Sequence, residues 1–178
     1  MTMKYPTLII ALLLLTPLSP CAQESEDSVL AIEVDEILAD AAAIEGRRYV
    51  STGQPSEDVL RVAKEAGFAT VIDMRTAEED RGIDEASVVE SLGMSYVAFP
   101  VSGRTDITLA KAQEFQSLLA SIDGPVFMHC RSGNRVGAMF ALQEGLEGAT
   151  TDDAVIAGKA AGLGSLEPRV REALDGRK

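Results

Sequence analysis

Apolar positions along this chain switch between two periods. After Arg47, short apolar runs alternate with stripes spaced three and four apart, and glycines mark the joins. "RRYVSTG" suggests a short strand ending at Gly53. In "QPSEDVLRVAKEAG", Val59, Leu60, Val62 and Ala63 form an apolar helical stripe, with Ser56 as N-cap and Gly67 as the stop. The β-branched run "FATVIDM" (Phe68 to Met74) suits a buried strand. "IDEASVVESLG" predicts a second helix closed by Gly93, and "MSYVAFPV" a strand stopped by Pro100. A polar loop, "SGRTD" (Ser102 to Asp106), leads into the helix "LAKAQEFQSLLASI", with Thr108 as N-cap. "PVFMHC" (Pro125 to Cys130) reads as a short buried strand, and the loop "RSGNR" feeds a helix beginning near Val136. "TTDDAVIAGKAAG" and "SLEPRVREAL" predict two more helices, capped by Thr151 and Ser165.

Helices of this length between strands require crossover connections, and hence a mostly parallel sheet. The expected fold class is α/β: one three-layer domain around a central, mostly parallel sheet.

The beginning of the chain is a different material. Lys4 precedes the apolar run "LIIALLLL" (Leu8 to Leu15), and Pro, Ser, Cys and Ala follow. That run is too short to span a bilayer well and has the proportions of a secretory signal. "QESEDS" (Gln23 to Ser28) reads as a tether, and "VLAIEVDEILADAAAIEG" (Val29 to Gly46) is helix-compatible, with Gly46 as its end. The expected division is a signal peptide over 1–22, a tether and N-terminal helix over 23–46, and the folded domain over 47–178. "LSPC" (Leu18 to Cys21) resembles a bacterial lipoprotein box, although Pro20 fits it poorly; cleavage near Ala22 is the other route. Either route exports the chain, in a bacterium to the periplasm, with membrane attachment only if Cys21 is lipidated.

Composition narrows the partners. The 178 residues are 46% hydrophobic, so a sizeable core is available, but only 4% aromatic, so aliphatic side chains must fill most of it. The formal net charge of −12 would repel a polyanion, which argues against nucleic acid as the main partner. It leaves room for a small anionic or phosphorylated substrate in a local basic loop. Oligomeric state has no signature in the sequence.

Once Cys21 is removed or lipidated, Cys130 is the one remaining thiol, so no intramolecular disulfide is possible. His129 is the only histidine, and it is adjacent to Cys130. Two neighbouring ligands cannot supply the three or four that a zinc site needs, and no metal or cofactor is expected.

The chemistry concentrates in "HCRSGNR". Cys130 falls at the carboxyl end of a buried strand, where open α/β sheets bind ligands. The amides from Arg131 to about Val136 would converge as the chain turns into a helix, making an anion cradle. Gly133 permits φ > 0 or a close backbone approach. Arg135 can lay a bidentate fork over an oxyanion, and the same positive field favours the thiolate of Cys130. His129 would orient the loop by hydrogen bonds. The plain alternative is a strand–glycine–helix turn holding a buried Cys.

"HCRSGNR" resembles the signature of the cysteine phosphatases. "STGQPS", "GFATVIDMRTAEE", "LGMSYVAFPV" and "GPVFMHCRSGNR" also follow the order seen in the phosphatase-like domain of bacterial beta-lactamase-hydrolase-like proteins, a branch of the tyrosine and dual-specificity phosphatase fold. The resemblance covers about Arg47 to Leu146. It implies Cys130 as the nucleophile that forms a phosphocysteine, and Arg135 as the clamp on phosphate oxygens. It also implies Arg131, Ser132, Gly133 and Asn134 as the loop that holds the anion. A general acid is expected on the loop after Pro100. Asp106 is the only carboxylate there, and an ordinary helix-start role is its other reading. Asp73 and Arg75 are expected to serve as polar partners at a strand end.

Two departures keep other chemistries open. Only four residues separate Cys130 from Arg135, where the phosphatase signature has five. That is the loop length of rhodaneses, which carry a persulfide. Val136 also stands where both families commonly place a hydroxyl. A sulfurtransferase and a non-catalytic anion-binding module are therefore the alternatives to a cysteine phosphatase.

Overall fold

The computed structural model describes residues 42–44 and 47–177. Five strands form one sheet: β1 (Ala42–Ile44), β2 (Arg47–Thr52), β3 (Thr70–Asp73), β4 (Ser95–Ala98) and β5 (Val126–His129), in the order β1-β2-β5-β3-β4. β1 pairs antiparallel with β2, and every other pairing is parallel. Six helices follow the strands among the described residues: α1 (Glu57–Glu65), α2 (Glu85–Ser91), α3 (Leu109–Ala120), α4 (Asn134–Leu146), α5 (Thr151–Ala160) and α6 (Glu167–Asp175).

The three-layer α/β expectation holds, and alternation along the strands explains it. Residues of opposite parity on a strand face opposite sides of the sheet. On β5, Phe127 joins the cluster with Val59, Leu60, Phe68, Val71 and Val89 beneath α1 and α2. Met128 joins the larger cluster with Phe115, Met139, Phe140 and Leu142 beneath the other helices. All four β5 residues are buried, as suits a central strand covered on both faces.

α4 is the central helix of the larger layer. Eight of its thirteen residues are buried, and it lacks the one-sided stripe of a surface helix. α5 crosses it closely because glycines meet there. A Cβ on Gly137 would lie 2.1 Å from the Leu163 amide nitrogen and 2.6 Å from the Gly158 carbonyl oxygen. Only a hydrogen at Gly137 permits that approach.

The register brings the parallel strands to a common edge. Thr52 pairs with His129, His129 with Asp73, and Asp73 with Ala98. The four strands therefore end side by side, and the loops after them share one end of the sheet.

Several local expectations change. Ala42–Ile44 is a strand edge on β2 rather than the end of a helix; pairing with an open sheet edge overrides the helical preference of its alanines. The signal, the tether and the rest of that helix lie outside the described residues. α4 starts at Asn134, two residues before Val136, because Gly133 takes φ +77° at its N-cap. Thr150 rather than Thr151 caps α5. Ser165 does not cap α6; its hydroxyl accepts a bond from Asn134 instead.

Candidate active site

The loop after β5 is clamped from both sides. Toward β2, Ser132 bridges Gly53, and the Gln54 amide donates to the Arg131 carbonyl at 3.4 Å. Toward the loop between α5 and α6, the Asn134 side-chain oxygen accepts from the amides of Gly164 (2.8 Å) and Leu166 (3.4 Å), while its nitrogen donates to Ser165. The Asn134 side chain is thus an anchor, and only its backbone amide remains for a ligand. Gly162 packs so near Gly133 that a Cβ there would meet the Gly133 carbonyl at 3.2 Å. The first-turn amides of α4, from Asn134 to Val136, lack helical acceptors and carry the positive end of the helix dipole.

Cys130 lies under this loop with 1% of its surface exposed. Arg131 and Ser132 are exposed above it, and Gly133 is buried. Arg135 reaches back over the strand ends. Its Nη1 and Nη2 donate to the two Glu79 carboxylate oxygens at 2.5 and 2.6 Å. Nη1 also faces the carbonyls of Met74 and Val101, each at 3.2 Å.

A guanidinium has five N–H donors. Glu79 takes one from each terminal nitrogen, and the two carbonyls share the second on Nη1. Nε–H and the second Nη2–H, which share one edge of the guanidinium, meet no protein oxygen among the described residues. Cys130 adjoins this group: the hydrogen bond to Glu79 does most to raise Arg135 above its ordinary range, burial opposes it, and the charge of Cys130 adds to the rise. The structure thus brings together Cys130 and Arg135 as the sequence expected, with Arg135 hydrogen-bonded to the Cys130 side chain as well as to Glu79.

Glu79 was not legible as a site residue. In "TAEEDRG" it looks like any solvated loop acid. Its carboxyl falls from 4.5 to about 2, first through the Arg135 hydrogen bond and despite partial burial, with further help from the Thr76 amide. Glu79 therefore stays ionised and fixes the Arg135 fork.

Behind Cys130, on the opposite face of the sheet, lies a buried charge cluster. Asp73, Arg75, Glu85 and His129 are each at most 1% exposed. His129 Nε2 donates to Glu85 at 2.5 Å, and its Nδ1 lies 3.4 Å from the Cys130 carbonyl oxygen. Arg75 donates to Asp73 through its amide (2.8 Å), Nε (2.9 Å) and Nη2 (3.1 Å), and also pairs with Glu85. Arg81 and the Tyr96 hydroxyl donate to Asp73, each at 2.9 Å. Burial pushes the Asp73 carboxyl up, but the Arg75 bonds, the charge of His129 and the Tyr96 hydroxyl outweigh it and bring it down to about 2.

Buried charges persist only when paired, and each charge of this set is, although Arg75 Nη1 is buried with no hydrogen-bond partner among the described residues. Asp73 and Arg75 thus have the strand-end structural role expected of them. His129 acts by holding the strand end and does not reach the anion cradle. Glu85 was missed, although it shares a helical face with buried Val89 four residues on, which marks it as inward-facing. Asp73, Glu85 and His129 each have an atom within 4.8 Å of the others, a spacing that suits a metal ion. Arg75 and Arg81 already neutralise both carboxylates there, so the cluster offers a cation no net negative charge.

Asp106 turns inward on its own loop. Its carboxylate accepts from the Ser102 amide and from the Thr105 hydroxyl, each at 2.8 Å. The Ser102 bond does most to hold its carboxyl below the ordinary range. Those donors favour the ionised form and make Asp106 a brace of the loop before α3, whose N-cap is Thr108.

A cleft of about 490 Å³ opens beside the Cys130 loop, lined by Gln54, Glu78, Glu79, Asp80, Gly82 and Arg131. Arg131 therefore lines the approach to the site rather than its floor.

Comparison with known proteins agrees with this fold. The family model for "DSP-PTPase phosphatase fused to NAD+ Kinase" matches residues 36–156. A beta-lactamase hydrolase-like protein of Agrobacterium fabrum is 36% identical over 105 residues, covering 57% of this chain and 24% of that protein. The chain spans about a quarter of the length of the curated relatives it matches. A solved Neisseria meningitidis Z2491 structure superposes with a TM-score of 0.63 at 22% identity, covering 76% of this chain and 98% of that one. The P. aeruginosa TpbA structure, a complex with pTyr, gives a TM-score of 0.52 at 16% identity over 72% of this chain and 78% of that one. At these identities the two structures show the shared fold. With the family model matched over most of the described residues, this chain belongs to the family of dual-specificity and tyrosine phosphatase-like domains that the model describes.

Proposed function

We propose that the protein is a cysteine-dependent phosphatase acting on small phosphomonoesters. The observation that carries this reading is the Arg135 guanidinium held by Glu79 and bonded to the Cys130 side chain, at the N-terminus of α4. The Cys130 thiolate attacks phosphorus; the S–P bond forms as the ester P–O bond breaks, and the leaving oxygen departs as an oxyanion that takes its proton from water. Water then attacks the phosphocysteine, releasing inorganic phosphate and restoring the thiolate. Arg135 and the first-turn amides of α4 hold the equatorial oxygens throughout. With Asp106 bound within its loop, leaving groups that need little proton assistance are favoured, and aryl phosphates are of that kind. The pTyr complex of TpbA supports the same class.

The test is hydrolysis of an aryl phosphate in the presence of a chelator, with phosphocysteine trapped by acid quench and located by mass spectrometry. Turnover that survives chelation and disappears in Cys130→Ser is expected. Equal turnover in Cys130→Ser would reject the mechanism.

A second reading rests on loop length. Four residues separate Cys130 from Arg135, which suits a persulfide carried on Cys130, whereas Val136 is a fully buried hydrocarbon with no hydroxyl to assist a departing thiolate. Thiosulfate treatment followed by cyanide should then yield thiocyanate, and its absence together with aryl phosphate turnover rules this reading out. The short loop and Val136 also suit an anion-binding domain without turnover, which phosphate-dependent thermal stabilisation without either reaction would identify. Export through residues 1–22 is part of the proposal. The mass of the mature chain recovered from periplasmic and membrane fractions distinguishes cleavage near Ala22 from lipidation of Cys21.

A further inference from the structure

Most cations whose side chains are described are paired within the chain. Among the described side chains, Arg61, Arg75, Arg81, Lys111, Arg135, Lys159 and Arg171 form ion pairs, and Lys64 and Arg177 bond to carbonyl oxygens. Arg104, Arg131 and Arg169 alone have neither an ion pair nor a side-chain hydrogen bond among the described residues. Arg131 belongs to the Cys130 loop. Arg104 and Arg169 come from distant parts of the chain, yet both line one cavity of about 370 Å³ between the β4–α3 loop and α6.

Short stretches of chain link that cavity to the candidate active site. Val101, whose carbonyl faces Arg135 Nη1 at 3.2 Å, is three residues before Arg104. Three residues of chain span at most roughly 11 Å. Gly103 packs on Leu166, so closely that a Cβ on it would lie 3.4 Å from the Leu166 side chain. Leu166 is itself held to Asn134 through its amide, and Arg169 lies one turn further along α6. Arg104 and Arg169 therefore flank the Gly103–Leu166 contact, which the Leu166 amide ties to Asn134 of the Cys130 loop. Glu172 lines the same cavity and opposes them in charge, leaving one net positive charge on the lining.

We infer that Arg104 and Arg169 form a second anion subsite, and that the preferred substrate is a small phosphomonoester bearing another anionic group. This rests on the phosphatase reading for the first phosphate only. Cys130, Arg135 and the α4 amides hold the reacting phosphoryl group, while Arg104 and Arg169 receive a phosphate or carboxylate on the remainder of the molecule. The overall acidity of the chain screens out large polyanions, and the subsite selects compact bis-anions.

The test is calorimetric titration of the full chain with inorganic phosphate, pyrophosphate and tripolyphosphate, which needs no turnover. Tripolyphosphate should bind about tenfold more tightly than phosphate, the effect of two partly exposed charge pairs. Arg104→Ala with Arg169→Ala should remove that margin and leave phosphate affinity unchanged. Glu172→Gln should widen it. Equal tripolyphosphate affinity in wild type and in the double variant overturns the subsite, as does a wild type that does not distinguish the three anions. Both arginines are exposed, so the variants should fold, which unchanged melting curves would verify. Failure of aryl phosphate turnover bears on the Cys130 mechanism alone, because the titration is read independently of it.

Discussion

Replacing Glu79 with Gln separates the support of Arg135 from the chemistry at Cys130. Gln has the shape of Glu79 but loses the charge, and it offers one acceptor oxygen to a fork that now meets two. The Glu79 carboxyl drops from 4.5 to about 2 on folding. At about 1.4 kcal/mol per tenfold, that corresponds to about 3 kcal/mol favouring the folded state when Glu79 is ionised. Glu79 keeps 24% of its side-chain surface exposed, and solvent screening brings the figure to roughly 2 kcal/mol. Because the folded value is the depressed one, this stability is complete above about pH 4.5 and fades as pH falls toward 2.

Urea unfolding of wild type and Glu79→Gln should therefore differ by roughly 2 kcal/mol at pH 7 and converge near pH 2. With the fork untethered, aryl phosphate turnover should fall about tenfold to a hundredfold, mostly in kcat, since Arg135 no longer meets the transition-state oxygens in a fixed pose. A variant within about 0.5 kcal/mol of wild type at pH 7, or a difference that does not shrink with acid, would refute the argument.

Three further outcomes follow from the packing. Gly137→Ala should cost about 3 kcal/mol or more by calorimetric melting, because its Cβ would meet the Leu163 and Gly158 backbones at 2.1 and 2.6 Å and α5 must move. A stability loss of the same size should accompany Asp73→Ala, which strips the acceptor from Arg75, Arg81 and Tyr96; about 3–5 kcal/mol is expected for leaving buried cations unpaired. Asp106→Asn should leave the shape of the pH–rate profile unchanged and lower stability by about 1 kcal/mol through the lost loop brace, whereas loss of the basic limb of that profile would restore it as the acid.

Much of the fold was legible because it is written in local signals. Ser56 and Thr108 cap the helices they were expected to cap, and Gly67 and Gly93 take positive φ where helices stop. The all-apolar run Val126–Met128 could only be a covered central strand once helices were seen on both sides of it in sequence. Cys130, Gly133 and Arg135 were legible for the same reason: strand end, left-handed turn and helix start lie within six residues, and their chemistry depends on that short-range geometry.

What the sequence left blank depends on contacts across the sheet. Ala42–Ile44 looks helical from its alanines and becomes a strand only because β2 offers it an open edge. Glu79 and Glu78 are indistinguishable in "TAEEDRG". Tertiary structure selects Glu79, because Arg135, 56 residues further along the chain, arrives at its carboxylate. Glu85 becomes the partner of His129 across 44 residues, and Arg104 meets the cavity of Arg169 only through the packing of Gly103 on Leu166. A charged side chain carries the same local signature whether water or another side chain will satisfy it. The sequence by itself placed Cys130, Arg135 and the layers that present them, because those signals are local; the tertiary structure decided which carboxylates meet Arg135 and His129 and which of the described cations stay unpaired, because those contacts join distant parts of the chain.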